Sequence, residues 1–239
     1  TIAMLFAITV AHAQEWRLLL PKQAYTVRVN SQDPNKIIVG NWSNQMMRSN
    51  DGGKTWETKE LGSILAGNYL TSLYWSSADT SIMLCGGFLF AGMKRSTDGG
   101  ETWEQVLLDT NLRRMWFISE AIIEDPNDPT IIYAGRGTTY NSIFKSTDTG
   151  ATWDSISVIP NNLTGRICTI TIRPDSSNIL FAGCQSGVMM RSDDSGESWN
   201  PVPINGQTDS IRPDSEIPKI VFSKRDPQIG YAIVAIAIE

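Results

Sequence analysis

The stretch Ser96-Thr-Asp-Gly-Gly-Glu-Thr-Trp103 decides the fold, because it recurs. Ungapped copies stand at Ser49-Asn-Asp-Gly-Gly-Lys-Thr-Trp56, Ser146-Thr-Asp-Thr-Gly-Ala-Thr-Trp153 and Ser192-Asp-Asp-Ser-Gly-Glu-Ser-Trp199. The common pattern is S-x-D-x-G-x-[ST]-W. Its four tryptophans lie 47, 50 and 46 residues apart and are half of the 8 in the chain. Self-similarity at a fixed period of this size marks a repeat architecture.

A second landmark keeps the same period. An apolar run closes on glycine at Ile37-Ile-Val-Gly40, Met83-Leu-Cys-Gly86, Ile132-Tyr-Ala-Gly135 and Leu180-Phe-Ala-Gly183. A fifth copy, Ile229-Gly-Tyr-Ala232, carries alanine there. Turn clusters precede the runs at Asp33-Pro-Asn, Ala78-Asp-Thr, Asp125-Pro-Asn, Pro174-Asp-Ser and Asp226-Pro-Gln. Ahead of the turns come alternating apolar stretches such as Tyr25-Thr-Val-Arg-Val29 and Ile167-Cys-Thr-Ile-Thr-Ile172. Each repeat therefore predicts four short strands. The third ends in Met46-Met-Arg48, Met93-Lys-Arg95, Ile143-Phe-Lys145 or Met189-Met-Arg191, and Thr-Trp opens the fourth. No segment shows a convincing helical period. Four strands per repeat make a β-propeller blade. The expected fold is all-β, with about 4.5 four-stranded antiparallel blades of a truncated six- to eight-bladed propeller.

The repeated octapeptide has a physical logic. Asp51, Asp98, Asp148 and Asp194 can each accept hydrogen bonds from backbone N–H groups of their own turn. Glycine permits the positive φ needed where the chain reverses. Trp56, Trp103, Trp153 and Trp199 can fill the space between neighbouring blades while the indole N–H finds a partner.

The composition excludes several function classes. Hydrophobic residues make up 41% and charged residues 19% of the 239, and the net charge is −5. No lysine and arginine block stands out, so neither nucleic acid nor an anionic membrane surface is an expected partner. Residues 1–13 combine a short apolar run with Ala11-His-Ala13, and read as the remnant of a secretory signal peptide. The run is too short to span a bilayer. Residues 14–239 then form the propeller domain, incomplete at its C-terminus, of a secreted or periplasmic protein of bacterial style. His12 is the single histidine, so the domain has no imidazole for a Ser-His-Asp triad or a His-ligated zinc. No cofactor or metal is expected. Cys85, Cys168 and Cys184 read as buried thiols on strands, with a Cys168–Cys184 disulfide as the alternative.

The four octapeptides resemble the Asp-box, or BNR-repeat, propellers. That superfamily includes sialidases, xyloglucan-cleaving endoglucanases, sortilin-type receptors and photosystem assembly factors. The likeness runs over residues 20–239. It implies that the box is a structural turn on the side away from the family's ligand sites, so it speaks to fold more than to function.

In an up-and-down blade the one-two and three-four turns share one face. The two-three loops and the links between blades lie on the other. The variable segments all fall on that second face, where binding usually lives. The loops are Asn41–Gln45, Gly87–Ala91, Arg136–Asn141 and Gln185–Gly187; the links are Thr58–Asn68, Leu107–Trp116, Ser155–Arg166 and Pro203–Glu216. Candidate ligand contacts are Trp42, Arg113, Arg114, Trp116, Arg136, Tyr140 and Arg166, since arginine beside aromatic rings can hold a carboxylate or a sugar. A sialidase-like site would need an arginine triad, but the family's Arg-Ile-Pro signature is absent; the closest string is Glu216-Ile-Pro. A xyloglucanase-like site would need two carboxyl groups, for which Asp109 and Glu120 are candidates. The regular boxes and the lack of a catalytic signature favour a non-catalytic module binding a protein or carbohydrate ligand. The alternative is a glycoside hydrolase.

Overall fold

The computed structural model describes residues 6–7, 17–18, 24–41, 45–61, 69–90, 92–108, 115–116, 122–136, 141–159, 166–203 and 215–236. Every element among them is a β-strand. The chain divides into two compact units, Thr1–Arg113 and Arg114–Glu239.

In the first unit, β1 (Phe6–Ala7) pairs with β2 (Arg17–Leu18). The other residues of the expected signal segment lie outside the described residues. Blade one runs β3 (Ala24–Val29), β4 (Ile37–Asn41), β5 (Gln45–Ser49) and β6 (Glu57–Glu60), paired in sequence order. Blade two repeats this with β7 (Tyr69–Trp75), β8 (Met83–Phe90), β9 (Gly92–Ser96) and β10 (Glu104–Leu108). In the second unit, β11 (Met115–Trp116) comes before blade three: β12 (Ile122–Glu124), β13 (Ile132–Arg136), β14 (Asn141–Ser146) and β15 (Asp154–Ile159). Blade four is β16 (Ile167–Arg173), β17 (Ser176–Cys184), β18 (Met189–Ser192) and β19 (Asn200–Pro201). A fifth sheet has two strands, β20 (Ser215–Phe222) and β21 (Gly230–Ile236). The all-β blade architecture read from the repeat is the one observed.

In blade one burial is greatest in the second strand and least in the fourth. All five residues of β4 are buried, while β6 is mostly exposed. A second strand covered on both faces has no solvent side, so it reads as an unbroken apolar run rather than an alternation. Ile38 and Met46 of blade one meet Leu70, Leu73, Met83 and Cys85 of blade two in one buried cluster. Tyr133, Ile143 and Ile159 of blade three do the same with Ile170, Leu180, Ala182 and Met190 of blade four.

The repeated glycine sits where the next blade crosses. A Cβ on Gly40 would lie 2.6 Å from the Leu70 carbonyl oxygen; one on Gly183 would lie 2.5 Å from that of Ile217. On Gly135 it would meet the Ile170 Cδ1 at 2.6 Å. The hydrogen bonds of the turns also correct the sequence alignment of the fifth copy. Lys36 N–H donates to Asp33 O, Ile131 N–H to Asp128 O and Ile229 N–H to Asp226 O. The position equivalent to Gly40 and Gly135 is therefore Ile233, not Ala232, and the turn matching Asp33-Pro-Asn in blade three is Asp128-Pro-Thr.

Three further differences from the sequence reading have plain causes. Strand four begins one residue after the box tryptophan, at Glu57, Glu104, Asp154 and Asn200, because the indole completes the turn. The Ser155–Arg166 link is strand as far as Ile159, which β14 holds by pairing with Asn141. Lys94 occupies a buried position that is Met47 in blade one and Met190 in blade four. Its ammonium donates to the Leu61 carbonyl, so the buried charge has a partner. Cys85, Cys168 and Cys184 are all buried free thiols.

Candidate functional site

The boxes come first, because they fix what each face is made of. In blade one, Asp51 Oδ1 accepts from Lys54 N–H (3.0 Å), Thr55 N–H (2.9 Å) and the Ser49 hydroxyl (2.8 Å). Asp51 Oδ2 accepts from the Thr55 hydroxyl at 2.6 Å. The Ser49 hydroxyl oxygen accepts Gly53 N–H at 2.8 Å, and Trp56 Nε1–H donates to Gly53 O at 3.1 Å. The bonds between Asp and the Ser or Thr four residues on recur at Asp98, Asp148 and Asp194. Hydrogen bonds led by the Thr55 hydroxyl hold Asp51 at a pKa of about 2, and the Ser198 hydroxyl does the same for Asp194.

Both residues after each Asp adopt left-handed backbone: Gly52 and Gly53, Gly99 and Gly100, Thr149 and Gly150, Ser195 and Gly196. This lets the box reach back to its own one-two turn. Gly52 N–H donates to Asn35 O, Gly99 N–H to Ser81 O, Thr149 N–H to Thr130 O and Ser195 N–H to Asn178 O, each at 2.9 Å. The one-two turns are also tied to one another within each unit. Gln32 Nε2 donates to Ser77 O (3.2 Å), the Ser177 hydroxyl to Asp125 Oδ1 (2.8 Å), and Gln228 Nε2 to Asp175 Oδ2 (3.1 Å). Polar groups on this face are largely spent on one another, which is how a structural face behaves.

On the opposite face of the second unit, the structure brings together groups from blade four and the fifth sheet. Arg166 stands immediately before β16, and Gln185 immediately after β17. Gln185 N–H donates to Arg166 O at 2.8 Å. Gln185 also bridges to Glu216 in β20, and Arg166 Nη2 lies 3.5 Å from Glu216 Oε2. Beneath this pair, the Cys168 thiol faces Arg166 O at 3.8 Å and Glu216 Oε2 at 3.9 Å. Burial, helped by the Glu216 charge, pushes the Cys168 thiol up to about 11; it is a thiol at neutral pH, not a nucleophile. The Arg166–Glu216 contact is long for a charge-assisted hydrogen bond. Both side chains are partly exposed, so donors and an acceptor stand at the surface in one place.

Of the candidate ligand contacts, Arg166 is in this cluster. Arg136 ends β13, on the same side of blade three. Trp116 is described only as part of β11. Trp42, Arg113, Arg114 and Tyr140 lie outside the described residues, as do Asp109 and Glu120. Sequence reasoning missed Gln185 and Glu216 as partners of Arg166. The signal was there: Arg166-Ile-Cys-Thr-Ile170 and Glu216-Ile-Pro-Lys-Ile220 are equivalent inner-strand starts on successive blades.

Comparison with known proteins agrees with this architecture. The BNR/Asp-box repeat model matches residues 47–58 and 94–105. A xyloglucanase from Paenibacillus sp is 30% identical over 141 residues, covering 50% of this chain and 14% of that protein. Among solved structures, an ancestral GH74 enzyme superposes with a TM-score of 0.65 at 17% identity, over 88% of this chain and 31% of its own. The GH74 xyloglucanase from Xanthomonas campestris gives 0.50 at 17% identity, over 75% of this chain and 38% of its own. The chain carries BNR/Asp-box repeats and has the blade architecture of a β-propeller. Within that class its likeness is to glycoside-hydrolase propellers, and it spans a minor part of each relative's length.

Proposed function

We propose that this chain is part of a xyloglucanase-type propeller that engages a xyloglucan-like polysaccharide on the face opposite the Asp boxes. The observation that carries the reading is the 30% identity over 141 residues to a xyloglucanase. The Arg166–Gln185–Glu216 cluster supports it, because an amide, a guanidinium and a carboxylate together match the donors and acceptors of sugar hydroxyls. Glycoside hydrolysis runs on paired carboxyl groups, so a domain without histidine is compatible with it. The sequence by itself leans toward a non-catalytic module; the xyloglucanase relative shifts the weight to hydrolysis. Export through residues 1–13 belongs to the same proposal, since a polysaccharide of this size is met outside the cell.

The test is affinity electrophoresis of the full chain in gels containing soluble xyloglucan, with a parallel assay of reducing ends. Retardation together with new reducing ends is expected. Unchanged mobility would overturn the polysaccharide reading. Retardation without reducing ends would overturn the hydrolase half and restore the binding module.

A further inference from the structure

Asp125 carries a charge that its place in the repeat does not need. It stands three residues before Asp128, at the head of the one-two turn of blade three. Blade one has Asn30 there, blade two Ser76 and the fifth sheet Ser223. In each of these turns the backbone N–H at this position closes the loop, on Lys36 O, Ile82 O, Ile131 O and Ile229 O. In each, one side-chain oxygen caps the turn. Asn30 Oδ1 accepts from Gln32 and Asp33 N–H, Ser76 Oγ from Asp79 N–H, and Ser223 Oγ from Arg225 and Asp226 N–H. Asp125 Oδ1 does the same for Asn127 N–H at 2.9 Å. A neutral oxygen is therefore enough for the turn. Asp125 adds a second oxygen and a negative charge.

That second oxygen, Oδ2, is buried and accepts no hydrogen bond among the described residues. Asp125 as a whole is 1% exposed. The ion pairs described in the second unit are Arg166–Glu216, Arg173–Asp175 and Arg191–Asp193, and they leave it out. Burying an unpaired carboxylate is strongly unfavourable, so the charge must be met. A water molecule would satisfy the oxygen but not its charge, and a buried atom leaves no access for a bulky cationic side chain. The atoms gathered beside it are oxygens. Ser177 Oγ of β17 lies 2.8 Å from Asp125 Oδ1. Asn127 Nδ2 reaches that same hydroxyl at 3.1 Å, and Pro174 O in the one-two turn of blade four at 3.4 Å. A carboxylate, a hydroxyl and a backbone carbonyl are the donor set of a hard cation.

We propose that Asp125 is the anionic ligand of a cation site between the one-two turns of blades three and four, taking a hard cation of the sodium or calcium class. Ser177 Oγ and Pro174 O are the neutral oxygens that blade four offers to it. A single carboxylate in the set places the affinity at about 1 mM. The ion ties two blades together on the box face, and this inference is independent of the polysaccharide reading.

The full chain is dialysed against a chelator and unfolded in urea, with tryptophan fluorescence as the readout. CaCl2 or NaCl is titrated against choline chloride at constant ionic strength. A saturable response is expected from one of the two ions, and the one that acts at the lower concentration is the occupant. Above half-saturation each tenfold rise in that ion should multiply the folding constant about tenfold, lifting the midpoint by about 0.5 M urea. Asp125→Asn places blade one's residue in the turn; it should fold cooperatively and lose the dependence. Asp125→Ser, with blade two's residue, should do the same. Calcium, sodium and choline acting alike on the parent chain would overturn the proposal. So would an undiminished ion response in either variant, because the ion would then sit elsewhere.

Discussion

Replacing Gly183 by alanine adds a single methyl group at a place where the structure has no room for it. The new carbon would lie 2.5 Å from the Ile217 carbonyl oxygen, 2.7 Å from Ile217 Cγ2 and 2.8 Å from Thr169 Cγ2. The first contact is with backbone of the neighbouring inner strand, which cannot rotate away. Relief therefore requires β20 to move off β17. Overpacking of this kind costs about 1–3 kcal/mol, and an immovable backbone partner puts Gly183→Ala near the top, at about 3 kcal/mol. Gly135→Ala makes the ideal comparison, because it is the same repeat position in the same unit. There the 2.6 Å contact is with Ile170 Cδ1, the end of a flexible side chain, and the cost should be about 1 kcal/mol. Urea unfolding followed by tryptophan fluorescence separates the two. With a slope of about 3 kcal/mol/M, Gly183→Ala should lower the midpoint by about 1 M and Gly135→Ala by about 0.3 M. Equal shifts, or a neutral Gly183→Ala, would refute the idea that this glycine marks the crossing of the next blade.

The box tryptophan should be costly to truncate where it spans two blades. Trp199 packs on the core shared by blades three and four, and its Nε1–H reaches both Gly196 O (3.0 Å) and the Ser157 hydroxyl (3.1 Å) of blade three. Trp199→Ala should cost about 3–5 kcal/mol, readable as a urea midpoint shift. Stability should also fall in alkali. Burial raises Cys85 from 9.0 to about 12 and Cys168 to about 11. The unfolded chain thus loses these protons first, and stability drops as pH rises above 9 toward those values, by up to about 1.4 kcal/mol per unit for each thiol. Cys168→Ala should flatten its share of the slope between pH 9 and pH 11. In acid the sign reverses. Asp51 and Asp194 are held near 2, below their ordinary 3.8, so their contribution persists above 3.8 and is lost as pH falls from 3.8 to 2.

The blades were legible in the sequence because the box imposes itself locally. Ser49, Asp51, Gly53, Thr55 and Trp56 satisfy one another within eight residues, so their spacing alone carries the turn. The repeated glycine was visible as a pattern, but its cause lies in the adjacent repeat, at Leu70 or Ile217, about 30 residues away in sequence. The alignment of the fifth copy failed for a related reason. Without a glycine at position 233, the neighbouring Gly230 and Ala232 offered a misleading match, and only the Ile229 to Asp226 hydrogen bond sets the register. Of the candidate site, Arg166 was legible as an arginine at the right end of an inner strand. Its meeting with Gln185 and Glu216 depends on how blade four and the fifth sheet pack. Lys94 was hidden because its partner is a backbone carbonyl, which leaves no mark on sequence.

The central claim is a division of labour between faces, with the Asp boxes holding the blades and the opposite face meeting the ligand. The direct measurement is the xyloglucan affinity of the full chain carrying Arg166→Ala or Glu216→Gln, against Ser195→Gly on the box face. The first two should lose about tenfold in affinity, as expected for a lost charged hydrogen bond, with urea midpoints near the parent value. Ser195→Gly should bind as the parent does. Full affinity in Arg166→Ala and Glu216→Gln, with weakened binding in Ser195→Gly, would contradict the claim.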